Sequence, residues 1–265
     1  MCAARLTVDC YSTCVFCMRK EFAIEFGQVG VTIGGEEKID NLTFGIGCGE
    51  LVVFVGPSGA RKSLLLELCG GVILPSQGTV KTLGIDWAAT NQTEENMLRQ
   101  RVGMVFQKPA LMNDLTVFDN VALPLRYHGT LDEDAVHGKV MARLLELGIS
   151  LHRDLFSTEL AHGKSKLVAL ARALVLDQEL LLIDDPFAGL DDGSVMRLTA
   201  LFERYQAEGR LTIVVAMRSP SHLLHLANRV ALVWDGRIVE MGNLAEVYDN
   251  VDEEKMKAYV TWEVT

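Results

Sequence analysis

No apolar run in the 265-residue sequence approaches the roughly 18 residues that a membrane-spanning helix requires. The chain is therefore expected to be soluble, although a soluble chain can still dock on a membrane protein. Positive charge is in the minority: 25 Lys and Arg stand against 35 Asp and Glu, for a formal net charge of −10. Nucleic-acid backbones are bound by basic surfaces that displace counterions, so no nucleic acid is expected as a partner. Cysteine is sparse outside the first segment. Four of the six lie at positions 2, 10, 14 and 17, followed by Cys48 and Cys69. Cys14-Val15-Phe16-Cys17 is a CxxC, but no second ligand pair follows at zinc-finger spacing, which argues against a structural metal. The same segment lacks a long apolar core and a small-residue cleavage site, so it does not read as a signal peptide. Reduced thiols in a cytosolic chain are the simplest expectation, and nothing in the sequence explains why the cysteines crowd there.

What is present is an ordinary globular composition, 49% hydrophobic and 23% charged, in a chain long enough for one α/β domain or a domain with an inserted subdomain. Its most informative stretch begins with Leu51-Val52-Val53-Phe54-Val55, an apolar, β-prone run of the kind buried in parallel sheets. Gly56-Pro57-Ser58-Gly59-Ala60-Arg61-Lys62-Ser63 follows, and Leu64 to Leu68 reads as a helix ended by Gly70-Gly71. The middle segment meets the phosphate-loop pattern G-x-x-x-x-G-K-[ST] at Gly56, Lys62 and Ser63, with Arg61 in place of the second glycine. In such a loop successive backbone N–H groups and a helix N-terminus surround a phosphate, the lysine reaches the β/γ-phosphates, and the hydroxyl ligates Mg²⁺. Arg61 adds bulk and charge where the backbone must come close to its ligand or take a positive φ. A glycine-rich strand-to-helix turn that binds nothing is the alternative at this point.

Further strands are expected from Glu21 to Ile33 before the Gly34-Gly35 turn, over Leu42–Ile46, at Thr79–Lys81 after a Pro75–Gly78 turn, and over Val102–Phe106. From about Val117 to Leu176 the apolar spacing becomes helical. Leu180–Ile183 and Leu211–Val215 return to buried strands, and Ser194–Gln206 between them is helical. Ser219-Pro220 reads as a cap and first residue of a helix through Ala227. Asp235-Gly236 between two apolar runs signals a hairpin. The division expected is an extension over 1–20, an α/β core over 21–107 and 178–242, a helical subdomain over 108–177, and a tail over 243–265 with some helical character.

Six motifs then occur in order: the phosphate loop, Gln107 after a strand, Leu160-Ala161-His162-Gly163-Lys164 before the Ala169–Ala173 helix, Leu181–Pro186, Ala188-Gly189-Leu190-Asp191, and the strand ending at Ala216-Met217. On these the chain resembles the nucleotide-binding subunits of ABC transporters from about Glu21 to Gly242. Phe118 to Leu125 and Asp185-Pro186-Phe187 look like the Mla-type subunits that move lipids with MCE proteins. The resemblance implies an α/β P-loop nucleoside triphosphate hydrolase fold with a helical subdomain insert, and ATP with Mg²⁺ as ligand. It implies that Lys62 and the loop amides hold phosphate, and that Ser63 and Asp184 hold the metal. Gln107 would touch metal and attacking water, Asp185 would act as general base, and Asp191 would lie at a dimer interface. Its implied partners are a membrane-spanning permease subunit and a second ATPase subunit, as homodimer or heterodimer. The implied location is cytoplasmic, peripheral on the cytoplasmic face of the inner (plasma) membrane.

Departures from the family pattern gather at the chemistry. The base is normally Glu, so Asp185 falls roughly 1–1.5 Å short of the water, and a misplacement near 1 Å costs on the order of 100-fold. The signature is normally Leu-Ser-Gly-Gly-Gln, and its Ser and first Gly are Ala161 and His162 here. The switch histidine is Met217, whose thioether donates no hydrogen bond, a loss of about 1.5–3 kcal/mol toward a charged group. The aromatic that usually stacks on adenine is Ile33. Arg218, His162 and Arg61 are candidates to restore positive charge, with Arg218 read foremost as a solvent-facing residue at a helix start. His222 and His225 have metal-pair spacing but read as a wetted helix face. The expectation is a subunit with weakened or lost hydrolysis and a structural or regulatory role. The alternative is a working ATPase motor whose substitutions offset one another. A small-molecule kinase fits less well, because kinases need neither the Gly163 block nor the Ala188–Asp191 loop. Leu111, Met112 and Leu115, in the segment Lys108–Thr116, are expected to receive a cytoplasmic helix of the permease.

Overall fold

Alternating apolar residues build β1 (Phe22–Ile33), which turns at Gly34-Gly35 and pairs antiparallel with β2 (Glu36–Gly47). β2 is longer than the 42–46 run expected, because Glu36 and Glu37 pair with Ile33 and Thr32 and draw polar residues into the ladder. β3 (Leu51–Val55) is wholly buried, as its apolar run requires. β4 (Gln77–Thr82) pairs with the other edge of β1 and carries the two-residue β5 (Ile85–Asp86). Gln77 and Gly78, expected in a turn, are already strand because Gln77 pairs with Gly30. The computed structural model describes residues 21–261, except Thr130, Ser219, Pro220, His222 and Asp252. The cysteines at 2, 10, 14 and 17, the Ser219-Pro220 helix start and His222 of the histidine pair lie outside the described residues.

β6 (Val102–Val105), β7 (Leu180–Asp184), β8 (Thr212–Met217), β9 (Arg229–Trp234) and β10 (Arg237–Gly242) join β3 in a second sheet, ordered β10-β9-β3-β8-β7-β6. All its pairings are parallel except the β9–β10 hairpin, whose Asp235-Gly236 turn has positive φ at both residues. β3 shows how the layers form. Its Val52 and Phe54 face one core with the first sheet and α1 (Lys62–Cys69), while Leu51, Val53 and Val55 face the other. That second core is filled by α3 (Val117–His128), α4 (Glu133–Glu146), α5 (His162–Leu174) and α6 (Asp192–Glu208), with a short α7 (Leu223–Leu226). The tail adds α8 (Leu244–Asn250) and α9 (Glu254–Lys257). The architecture is layered α/β.

α2 (Gln92–Arg101) has no counterpart in the sequence reading. Leu98 is its only buried residue, so apolar periodicity is almost silent there. Its signal is the capping box, in which the Asn91 side chain accepts from Glu94 N–H while the Glu94 carboxylate accepts from Asn91 N–H.

One buried polar side chain ties the segment after β6 to the helices. Asn120, on α3, has no exposed surface; its amide donates to the carbonyls of Met112, Leu115 and Thr116, and its oxygen accepts from Met112 N–H at 2.8 Å. Ser157 Oγ donates to the same Met112 carbonyl at 2.9 Å. Asn120→Ala leaves these backbone groups short of partners and is expected to lower stability by about 2–3 kcal/mol. Denaturant titration checks this, and a loss below about 0.5 kcal/mol, the scale of ordinary surface changes, would show that the lattice is dispensable.

Candidate functional site

The loop leaving β3 is shaped by two glycines and strained by one arginine. Gly56 has φ 145°, and a Cβ there would lie 2.0 Å from the Val233 carbonyl oxygen, so only glycine fits. Gly59 is left-handed at φ 85°. Arg61 caps α1 with φ 76° and no side-chain cap bond, in a region that costs a non-glycine residue about 1–2 kcal/mol. Lys62, the first residue of α1, is 7% exposed, and its ammonium donates at 2.7 Å to the carbonyls of both Gly56 and Pro57. Burial holds its pKa below the usual lysine range, and Arg218 pushes the same way against the attraction of Asp184 and Asp185.

Carboxylates arrive from the end of β7. Ser63 Oγ donates to Asp184 Oδ2 at 2.6 Å. Burial raises the Asp184 pKa first and the Asp185 charge adds to it, while the Ser63 bond and the two lysines, Lys166 and Lys62, oppose. Asp185 has φ 53°, and its N–H donates to the Ala216 carbonyl at 2.7 Å. Its carboxylate is ion-paired with Arg218, whose Nη2 lies at 2.9 Å and Nε at 3.3 Å from Oδ2. Beneath the pair, Lys166 is 2% exposed and its ammonium donates to the backbone carbonyls of Asp184 and Asp185. Met217 ends β8, is buried, and has Ser221 Oγ 3.8 Å from its sulfur.

Ser58, Gly59, Ala60, Arg61, Lys62, Ser63, Ile33, Gln107, Asp184 and Met217 line one cavity of about 400 Å³. Gly56 and Pro57 join it through their bonds to Lys62, and Asp185 through Arg218, which lines the same cavity and does not simply face solvent. Leu160, Ala161, His162, Gly163, Lys164 and Asp191 do not line it. They gather around the start of α5. A Cβ on Gly163 would lie 2.1 Å from the Gly189 carbonyl oxygen, so helix and loop touch backbone to backbone. Lys164 Nζ is 2.5 Å from His152 Nε2, and Asp191 caps α6 by accepting from Ser194 N–H at 2.8 Å. Ala161 caps α5 without a side-chain bond.

Lys38, Leu64, Glu67 and Ile73 also line the cavity, and none was anticipated. Glu67 had a signal: it lies four residues beyond Ser63 on α1, hence on the same helix face. Its pKa is raised by burial and by Asp184. Lys38 and Ile73 are delivered by tertiary packing, which no local pattern reports. Lys166 likewise carries no local sign of its burial.

A nucleotide phosphate group fits these residues: a helix N-terminus, a close-approach glycine and a lysine converge, with a hydroxyl–carboxylate pair suited to a hard cation. Arg61→Gly removes the left-handed cost net of glycine's extra chain entropy and is expected to raise stability by about 0.5–1 kcal/mol. For a chain of this size that is a Tm rise of about 1–4 °C. A lower Tm in thermal denaturation would refute the strain assigned to Arg61.

The sequence matches the ABC transporter family over residues 39–188. It is 33% identical over 213 residues to the intermembrane phospholipid transport system ATP-binding protein MlaF of Haemophilus influenzae, covering 80% of this chain and 81% of that protein. The MlaF of Escherichia coli is 32% identical, with 86% and 85% covered. The methionine import ATP-binding protein MetN of Lacticaseibacillus paracasei is 33% identical, with 92% and 70% covered. Among solved structures, the dimeric bacterial ABC transporter cassette MJ0796 superposes with a TM-score of 0.78 at 26% identity, covering 83% of this chain and 98% of that one. Structure and sequence agree on the P-loop ATPase fold of these cassettes, and the chain belongs to the ABC transporter family as an ATP-binding subunit.

Proposed function

We propose that the chain is the ATP-binding subunit of a lipid-moving transporter of the Mla type, that it holds Mg²⁺–ATP, and that it hydrolyses ATP weakly. The lipid part rests on likeness to two phospholipid-transport subunits at 32–33% identity. The weak-hydrolysis part rests on one observation: the cavity keeps its phosphate-holding groups, yet the switch position is a buried thioether and the candidate base is ion-paired with Arg218.

Lys62 would turn from the Gly56 and Pro57 carbonyls to phosphate oxygens, which offer it full negative charge in place of peptide dipoles. Ser63 and Asp184 would hold Mg²⁺, with Gln107 at its side, and the ion would neutralise phosphate charge there. Ile33, nearly half exposed at the end of β1, would offer the adenine dispersion contact without a π face. Asp185 is the carboxylate nearest in sequence to this group, but it is one methylene shorter than the glutamate of the family pattern and is ion-paired with Arg218 in the nucleotide-free site, so it orients water poorly. Met217 gives the terminal phosphate no donor. The helical part over 108–177 would be a subdomain inserted in the core over 21–107 and 178–242, the two sharing one hydrophobic cluster. A second cassette, identical or not, would meet the Ala161–Lys164 and Asp191 surface.

The segment after Gln107 would seat the permease on the cytoplasmic face of the membrane. Met112 is half exposed there with both backbone groups held by Asn120, while Leu111 is partly buried against the core. Met112→Glu is therefore the cleaner test: it is expected to abolish co-purification with the membrane subunit while leaving the Tm unchanged. Unaltered co-purification would remove Met112 from the docking surface.

Turnover of the purified chain, alone and with its membrane subunit, is expected well below about 1 s⁻¹, the low end of ordinary enzymes. Restoring Asp185→Glu with Met217→His is expected to raise it by at least about tenfold, since each lost group acts near the terminal phosphate. A wild-type rate above about 1 s⁻¹, abolished by Lys62→Ala and by Asp185→Asn, would favour the working motor instead.

A further inference from the structure

Arg218 occupies a position that the family resemblance gives no role. It follows the buried Met217 at the carboxyl end of β8 and lines the cavity beside Lys62, Ser63 and Asp184. Its guanidinium holds one oxygen of Asp185 through two nitrogens, at 2.9 and 3.3 Å. The charge also reaches further: Arg218 repels the ammonium groups of both Lys62 and Lys166. Lys38, Arg61, Lys62 and Arg218 line the cavity, with Lys166 beside them, against the carboxylates of Glu67, Asp184 and Asp185, so cations outnumber carboxylates in the site at rest. A half-exposed ion pair of this kind contributes little on its own. A planar guanidinium bonds phosphate oxygens two at a time, and Arg218 stands directly after Met217, whose thioether offers no donor.

We infer that Arg218 is the ligand of the terminal phosphate and is parked on Asp185 until that phosphate arrives. The guanidinium then leaves the carboxylate for the phosphate oxygens, satisfying the excess positive charge; the freed Asp185 is still one methylene shorter than the family's glutamate, and Met217 still gives no donor, so hydrolysis stays weak. ADP lacks the group that draws Arg218 away and leaves the ion pair closed. The chain would in this way distinguish ATP from ADP through an arginine beside a silent switch position, which suits a subunit that reports nucleotide state more than one that turns over. This rests on the reading of the cavity as a nucleotide site.

The test is titration calorimetry on the full chain with Mg²⁺ and either a non-hydrolysable ATP analogue or ADP. Wild type is expected to prefer the analogue. Arg218→Ala is expected to weaken analogue binding by about tenfold or more, the loss of a charged hydrogen bond, and to leave ADP affinity within about twofold. Arg218→Lys keeps the charge without the planar fork and is expected to recover part of the loss. Asp185→Asn unparks the arginine and is expected to tighten the analogue selectively. Equal losses for both ligands in Arg218→Ala, or none for either, would overturn the role of Arg218 while leaving the nucleotide site standing. A wild-type chain that binds neither ligand would overturn the site and this inference together.

Discussion

Parallel pairing of β3 with β8 and of β8 with β7 is the constraint from which the site follows. The register sets Val55 beside Met217 and Asp184 beside Ala216, so three strands end at the same level. Whatever leaves those ends must meet: the loop carrying Lys62, the Asp184-Asp185 pair and the Met217-Arg218 step. The strands are short, mostly apolar runs with both faces covered, and a one-residue slip would exchange the residues of the two cores. Chemistry at the rim is therefore held by hydrophobic burial beneath it. That separation explains how functional groups can change while the frame stays intact.

Above the frame, buried charge decides the rest. Lys62, Lys166 and Asp184 are all poorly solvated, and burial shifts each toward its neutral form. They remain tolerable because each has a partner: carbonyls for the lysines and the Ser63 hydroxyl for Asp184. Lys166 has a particular task. By bonding the carbonyls of both aspartates it fixes the backbone of a turn in which Asp185 is left-handed. A lysine whose ammonium serves two carbonyls is a structural brace for the carboxylates above it, and its charge adds to the attraction for an anion.

The strands, the phosphate loop and the β9–β10 hairpin were legible because buried apolar runs and glycine punctuation are local signals. α2 was not, because a helix with one buried residue has almost no period, and only its Asn91 cap announced it. Within the cavity the loop is legible from its own pattern, while Ile33, Gln107, Asp184 and Met217 are legible only through the ordered motifs of the family resemblance. It missed Lys38, Ile73 and Lys166, which arrive from segments whose own sequence says nothing of their neighbours. Arg218 reads as a solvent-facing residue at a helix start, and its side chain is indeed half exposed, but it is also held by Asp185. The ion pair with Asp185 could not be read from spacing, since it depends on β7 and β8 being adjacent in the sheet.

The placement of the altered residues carries a consequence of its own. Arg61, Asp185 and Met217 belong to the cavity side, whereas Ala161 and His162 sit at the start of α5, away from it. In the proposed pairing of two cassettes, one would supply the cavity and the other the α5 start. Two copies of this chain would then assemble both kinds of alteration in each site. An unaltered partner would share them out, one kind to each site, and neither site would be whole. The substitutions were therefore not confined to one surface that a partner could supplement. A surface that completed a partner's active site would use the serine hydroxyl and the first glycine of the signature, and this one has neither; Leu160 and Gly163 remain, and the Gly163 contact with Gly189 is a packing need of the chain itself. On the proposed reading, what survives is what holds the fold and would hold the phosphates, and the departures on both faces fall where the family pattern sets its groups around the terminal phosphate.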